Sequence, residues 1–276
     1  MTYRGLQHCA LLSALGLVVC SSSAFAQFRP PCDIPYQRIA TRGLDIESCP
    51  AEGETEKATY KAQNIAKNNL CATGRPIPLT HSALKRLQKA VDDKKAAGDI
   101  ARGLPGDRSV LANIATYNRK KIGEGTVVQY VGFVHKPRYS PKSGGESVNC
   151  KRARNEHKDI HVDVVRTKGE PACRSITVEV IPHFRPELWE VENLRLIEHP
   201  VRFTGHLFYD ASHTPCKGDN DRVSPKRASN WEIHPVYAID VCRSKQLSRC
   251  SARNKNMWIP LDSWLNSGDY DEEDED

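Results

Sequence analysis

The chain has 276 residues, 39% of them hydrophobic, and carries 40 basic and 34 acidic side chains for a formal net charge of +6. No apolar run approaches the roughly 20 residues that a permanent helical span of a bilayer needs, which excludes an integral helical membrane protein. Charge is unevenly placed: setting aside Arg4 and the seven acids Asp269, Asp271, Glu272, Glu273, Asp274, Glu275 and Asp276 leaves 39 basic against 27 acidic side chains, a body of about +12.

At the start, Arg4 precedes the apolar run from Ala10 to Val19, and Ala24-Phe25-Ala26 stands before Gln27. This is the pattern of a secretory signal peptide (1–26) cleaved after Ala26, and it implies a periplasmic or secreted protein. Acylation at Cys20 is the alternative, but Val19 is bulkier than the residue such a lipoprotein signal carries. The mature chain keeps eight cysteines, Cys32, Cys49, Cys71, Cys150, Cys173, Cys216, Cys242 and Cys250. An even number in an oxidising compartment implies disulfides. Cys150 with Cys173, and Cys216 with Cys242 or Cys250, are the expected pairs. The lack of any C-x-x-C spacing argues against a zinc knuckle.

Residues 27–122 read as an extended arm, rich in proline up to Pro50, followed by two short helices that pack on the rest of the protein. The first helix is expected over Glu54 to Cys71, where Ala58, Ala62, Ile65, Ala66 and Leu70 recur at three and four before Gly74 and Pro76. The second is expected over Ala83 to Ala97, with Leu84, Leu87 and Val91 on one stripe. Its opposite side carries Lys85, Arg86, Lys89, Lys94 and Lys95, which is either a solvated face or a contact for an anionic surface.

Residues 123–243 read as a five-stranded OB-like Greek-key barrel in the order β-β-β-α-β-β, so the fold class is mainly β with a helical N-terminal extension. Strand one covers Thr126 to His135, with Gly132 where it must bend. Strand two, Asp159 to Arg166, points Ile160, Val162 and Val164 inward and Asp159, His161 and Asp163 outward. Strand three, Ser175 to Ile181, points Ile176, Val178 and Val180 inward. A short helix between Pro186 and Ile197 sets Trp189 and Leu194 against the barrel. Strand four is Val201 to Tyr209. Strand five, Trp231 to Val241, directs Trp231 and Ile233 inward and Glu232 and His234 outward. Residues 244–276 form an extension ending in the acidic tail, which either folds back as a mimic of a polyanionic partner or is a solvated end.

Five blocks carry a resemblance. Gly145-Glu146-Ser147-Val148-Asn149-Cys150, Asp159-Ile160-His161-Val162, Pro182-His183-Phe184-Arg185-Pro186, the stretch Ser229 to Val236, and the stretch Lys61 to Ala72 resemble blocks of a group of uncharacterised bacterial exported proteins. The resemblance spans most of the mature chain and implies kinship; no activity comes with it.

Two arrangements bear on chemistry. In such a barrel strand three lies between strands two and five, so Asp159, His161 and Glu179 come near Glu232 and His234. Residues two apart on a strand are about 6.6 Å apart and cross-strand partners about 5 Å, so Asp159, His161, Glu179 and His234 are within reach of one zinc or manganese ion. The plain alternative is a hydrophilic face turned to water. Asp210 with His213 forms an acid/base pair or else a simple Asx turn, and His183 is a further proton-transfer candidate. No Ser has the surroundings of a triad nucleophile.

Acids on strands two and three, where a single-strand platform needs aromatic and basic residues, argue against sequence-specific nucleic acid as partner. The first functional reading is therefore an exported, disulfide-stabilised binding protein for a polar or anionic envelope ligand, such as a saccharide or other polyanion, held by Lys151, Arg152, Arg227 and His213. The alternatives are a metal-dependent, phosphodiesterase-like hydrolase and an envelope scaffold that binds another protein.

Overall fold

The computed structural model of the chain describes Leu44, residues 48–141 and residues 143–268; the expected signal peptide, Cys32 and the acidic tail lie outside the described residues. Helices α1 (Ala58–Lys67) and α2 (His81–Ala97) flank the short strand β1 (Ile77–Pro78). A hairpin of β2 (Ala115–Tyr117) and β3 (Lys120–Ile122) leads into β4 (Val127–Tyr139). The strands β5 (Ile160–Val165) and β6 (Ile176–Val180) follow, then helix α3 (Val191–Arg195), β7 (Val201–Tyr209), β8 (Trp231–Cys242), β9 (Trp258–Pro260) and helix α4 (Leu261–Ser267).

Five of these strands close a barrel in the order β4-β5-β6-β8-β7, with β7 pairing back onto β4. All pairs are antiparallel except β6 with β8, where Val178 lies opposite Ile233. Closure depends on the length of β4. Its first half, Val127 to Gly132, pairs with β7, while Phe133 to Tyr139 pairs with β5. Gly132 sits at the change of partner, and a Cβ there would lie 2.5 Å from the carbonyl oxygen of Val165. Only glycine permits that approach, which is why the strand can turn from one neighbour to the other.

The expected period-two pattern fills the barrel. Ile160, Val162 and Val164 of β5, Ile176, Val178 and Val180 of β6, Phe203 and Leu207 of β7, and Trp231, Ile233, Ile239 and Val241 of β8 belong to one buried core. Helix α2 adds Leu84, Leu87 and Val91 to it, and Trp189 and Leu194 join from the α3 region. Thr80 Oγ1 caps α2 by accepting from Ala83 N at 3.2 Å, and Gly98 ends the helix in the left-handed conformation. Within the described residues no helix is long and apolar enough to cross a membrane.

Two expectations need correction. The disulfides join Cys49 to Cys150, Cys173 to Cys216 and Cys242 to Cys250. The expected Cys150–Cys173 pair, and the pairing of Cys216 with Cys242 or Cys250, do not form. Nearness in sequence was the only guide to those pairings, whereas the segment carrying Cys49 runs beside Cys150 through tertiary contacts such as Glu54 N donating to Ser147 O at 2.8 Å. The second correction concerns the polar outer face of β5, β6 and β8, which is not turned to water. Asp159, Glu232 and His234 are fully buried and Glu179 is 1% exposed. Helix α1 and the loops after β4 and β7 cover this face, with Asn64 Nδ2 donating to Ser147 Oγ at 3.4 Å and Gln63 Nε2 to Ser212 Oγ at 3.3 Å.

Candidate functional site

The covered face collects acids and imidazoles from four parts of the chain. His161 on β5 lies opposite Glu179 on β6, and the parallel β6–β8 pairing carries Glu179 alongside Glu232 and His234. His161 Nε2 is 3.6 Å from Glu179 Oε2 and 3.9 Å from Glu146 Oε2. His234 Nδ1 lies 2.9 Å from Glu179 Oε2 and 3.6 Å from Glu232 Oε2. Asp159 stands just before β5, where Asn149 Nδ2 donates to its Oδ1 at 3.1 Å. Lys67, at the end of α1, is buried over the same face with its Nζ 5.9 Å from the Phe208 ring centre.

These donors fall into two triads whose ligand atoms lie within 4.8 Å of one another, Asp159–Glu179–His234 and Glu146–Asp159–His161. Their hydrogen bonding is incomplete. Glu146 Oε2, Asp159 Oδ2, His161 Nε2, Glu179 Oε2 and both nitrogens of His234 are buried without a well-directed hydrogen-bond partner. Buried polar groups are nearly always satisfied, so so many exceptions around one point call for a physical reason.

Charge in the cluster is tightly coupled. Burial and then the neighbouring Glu146 carboxylate push Asp159 up to about 6. Burial would raise Glu179 as well, but His161, His234 and Lys67 hold it well below the usual carboxylate range. Burial alone would lower His234, and the adjacent Glu179 carboxylate instead carries it up to about 9. Lys67 also resists the pull of burial: Glu179, Glu146, Asp210 and Glu232 raise its pKa and keep it charged.

A second polar group adjoins the first through Glu232. Arg227, 1% exposed, pairs with Glu232 and lies 3.4 Å from Asp210 Oδ2. Asp210 accepts from Ser212 N at 3.0 Å and from His213 Nδ1 at 2.5 Å. Burial would raise Asp210, but the His213 hydrogen bond, Lys67 and Arg227 lower it and keep it ionised. Asp210 thus makes the Asx turn and holds the His213 imidazole at once, and the His213 side chain stays 37% exposed.

Not all residues singled out in the sequence meet. His183 is fully buried, with Nε2 3.0 Å from the carbonyl oxygen of Cys49, and belongs to neither triad. Asp163 turns to Arg138 Nη1 at 2.9 Å. Lys151 and Arg152 line a groove of about 560 Å³ with Ser48, Pro50, Gly53, Glu54 and Cys150, and Arg227 is enclosed by its ion pairs. Sequence reasoning missed Glu146, Asn149 and Lys67. None of the three lies on an alternating strand, so no local period marked them. Comparison with protein-family models, with curated proteins and with solved structures finds no match to this chain.

Proposed function

We propose that this chain is an exported, disulfide-stabilised metalloprotein that holds zinc or manganese on Asp159, Glu179 and His234 and hydrolyses a polar or anionic envelope substrate. The observation that carries this reading is the set of buried carboxylate and imidazole groups that touch one another as ion pairs but lack well-directed hydrogen bonds, with ligand atoms within 4.8 Å of one another in each triad. Left alone, each such group costs roughly 1–3 kcal/mol or more, and a cation turns that cost into coordination. Mixed nitrogen and oxygen donors suit these two ions. The strand order also supports a site here: barrels of the OB-like kind bind ligands on strands two and three and on the loops after strands one and four. Those parts carry His161, Glu179, Glu146 and Asp210. A bound divalent ion supplies Lewis acidity and lowers the pKa of water. The chain itself supplies the exposed edge of His213, oriented by Asp210, to exchange a proton, and Lys67 to attract negative charge. Export is supported by the signal-like N-terminus and by three disulfides, which persist in oxidising compartments.

The test is elemental analysis of the purified mature chain before and after a chelator wash and reloading. At least one equivalent of zinc or manganese per chain is expected, with the loss of that ion in Glu179→Gln and in His234→Ala. A folded protein that neither carries nor takes up either ion refutes the reading. A second reading, a binding protein for an anionic saccharide, is favoured by the Lys151–Arg152 groove. It is checked by titrating sulfated oligosaccharide into the wild type and the Lys151→Ala/Arg152→Ala variant.

A further inference from the structure

Deepening that reading, and resting on it, we infer that Asp159 is shared by two divalent cations, an inner one with Glu179 and His234 and an outer one with Glu146 and His161, and that the substrate is a phosphate ester. Asp159 is the one residue common to the two triads among the described residues. A carboxylate has about four lone-pair sites, so Asp159 can accept from Asn149 Nδ2 and still offer Oδ2, which is buried and has no hydrogen-bond partner, to both positions. The outer triad has its own unpartnered atoms, Glu146 Oε2 and His161 Nε2.

Burial differs modestly between the two positions. The side chains of Glu179 and His234 are 2% and 0% exposed, whereas those of His161 and Glu146 are 12% and 14% exposed. The outer ion would lie nearer the surface than the inner one, although Glu146 Oε2 and His161 Nε2 are themselves buried. The outer donors are also fixed in place. The Cys49–Cys150 disulfide pins the turn that follows Glu146, and Gly145 has φ +71 with a Cβ position only 2.4 Å from the Arg152 carbonyl oxygen, so no other residue fits there without strain.

Charge selects the substrate class. Glu146, Asp159 and Glu179 face one buried ammonium, Lys67, while Glu232 and Asp210 are engaged by Arg227 and His213. Counted together, these five carboxylates against Lys67 and Arg227 leave a formal charge of −3, which one divalent ion reduces to −1. A second leaves the site net positive, which suits an anionic phosphate and not a neutral ester. Paired ions about 3.5–4 Å apart clamp the attacking and leaving oxygens of an in-line displacement at phosphorus. In that reaction the oxygen of one water bonds to phosphorus as the ester P–O bond breaks, and the proton given up by the water balances the one gained by the leaving oxygen.

The experiment loads chelator-stripped full-length mature protein with manganese, counts ions per chain by mass spectrometry, and records the electron paramagnetic resonance spectrum. Hydrolysis of bis(4-nitrophenyl) phosphate and of 4-nitrophenyl phosphate is measured on the same samples. Two ions per chain with a spin-coupled spectrum are expected. Glu146→Gln, and His161→Asn as a second variant should the first not fold, is expected to retain one ion and to lose at least 100-fold in hydrolysis. One ion in the wild type, unchanged in both variants, overturns the shared-carboxylate assignment and leaves the single-ion reading standing. No ion at all overturns both. Two ions without hydrolysis of either probe overturn the substrate class.

Discussion

His206 is the buried imidazole with the plainest pH signature. Its Nδ1 lies 2.9 Å from the His234 carbonyl oxygen, and burial lowers its pKa to about 4, with the nearby His234 and Arg108 charges acting in the same direction. The unfolded chain therefore binds a proton more readily than the folded one between about 6.5 and 4. The contribution of His206 to stability is whole above pH 6.5 and is lost as the pH falls through about 4. Urea unfolding of wild type and His206→Gln across this window is expected to show the wild type losing more stability on acidification; parallel curves would contradict it. Trp231 tests packing instead. It is fully buried, its ring 5.2 Å from that of Tyr209, and Trp231→Ala is expected to cost about 3–5 kcal/mol in chemical unfolding. A change near zero would mean that the N-terminal end of β8 does not face the core.

Among the elements, the segment of residues 48–54, helix α1 and the turn at Ser147–Asn149 act as one cover over the polar face. Asn68 Nδ2 donates to Ala51 O at 3.0 Å, Asn64 Nδ2 to Glu52 O at 2.8 Å, and the Cys49–Cys150 disulfide closes the arrangement across 101 residues. A cross-link over so long a loop removes much of the conformational freedom of the unfolded chain. Cys49→Ser/Cys150→Ser is expected to lower stability by about 2–5 kcal/mol and to weaken metal uptake together with it, because Glu146 and Asn149 lose their anchor. Calorimetry with and without added manganese reads both effects, and unchanged metal affinity would show that the cover does not organise the donors. The barrel strands were legible because β5, β6, β7 and β8 alternate, and α2 because Leu84, Leu87 and Val91 repeat at helical spacing. The hairpin β2–β3, the edge strand β9 and helix α4 were not read: two or three strand residues carry no period, and α4 spans only Leu261–Ser267.

On the scale of the whole molecule, folding gathers charges that water would otherwise hold apart. Arg202 and Asp240, opposite each other on β7 and β8, make a buried two-pronged pair at 2.9 and 3.1 Å. Arg108 pairs with Glu124 at the other end of β7. The Arg202–Asp240 pair has no buried atom without a partner and the Arg108–Glu124 pair has only Arg108 Nη1, whereas the Asp159–Glu179–His234 group has several, and this contrast sets it apart from ordinary ionic packing. An ion that binds the folded chain but not the unfolded one stabilises it by mass action, about 2.7 kcal/mol at a hundredfold excess over Kd. Chelator-stripped protein is accordingly expected to melt several degrees higher with zinc or manganese, and Glu179→Gln is not. A melting temperature unmoved by either ion would count against the metal centre.

The sequence by itself marked the alternating strands β5, β6, β7 and β8 and their inward faces, because a period of two is written locally in each, and the expected barrel topology then placed β6 between β5 and β8. It therefore also brought His161, Glu179 and His234 within view of each other. Only the tertiary structure decided that their face is dry, that Lys67, Glu146 and Asn149 join it, and which cysteines pair. Those outcomes depend on segments far apart in the chain packing over one surface, and no local pattern of side chains encodes what will cover a strand's outer face.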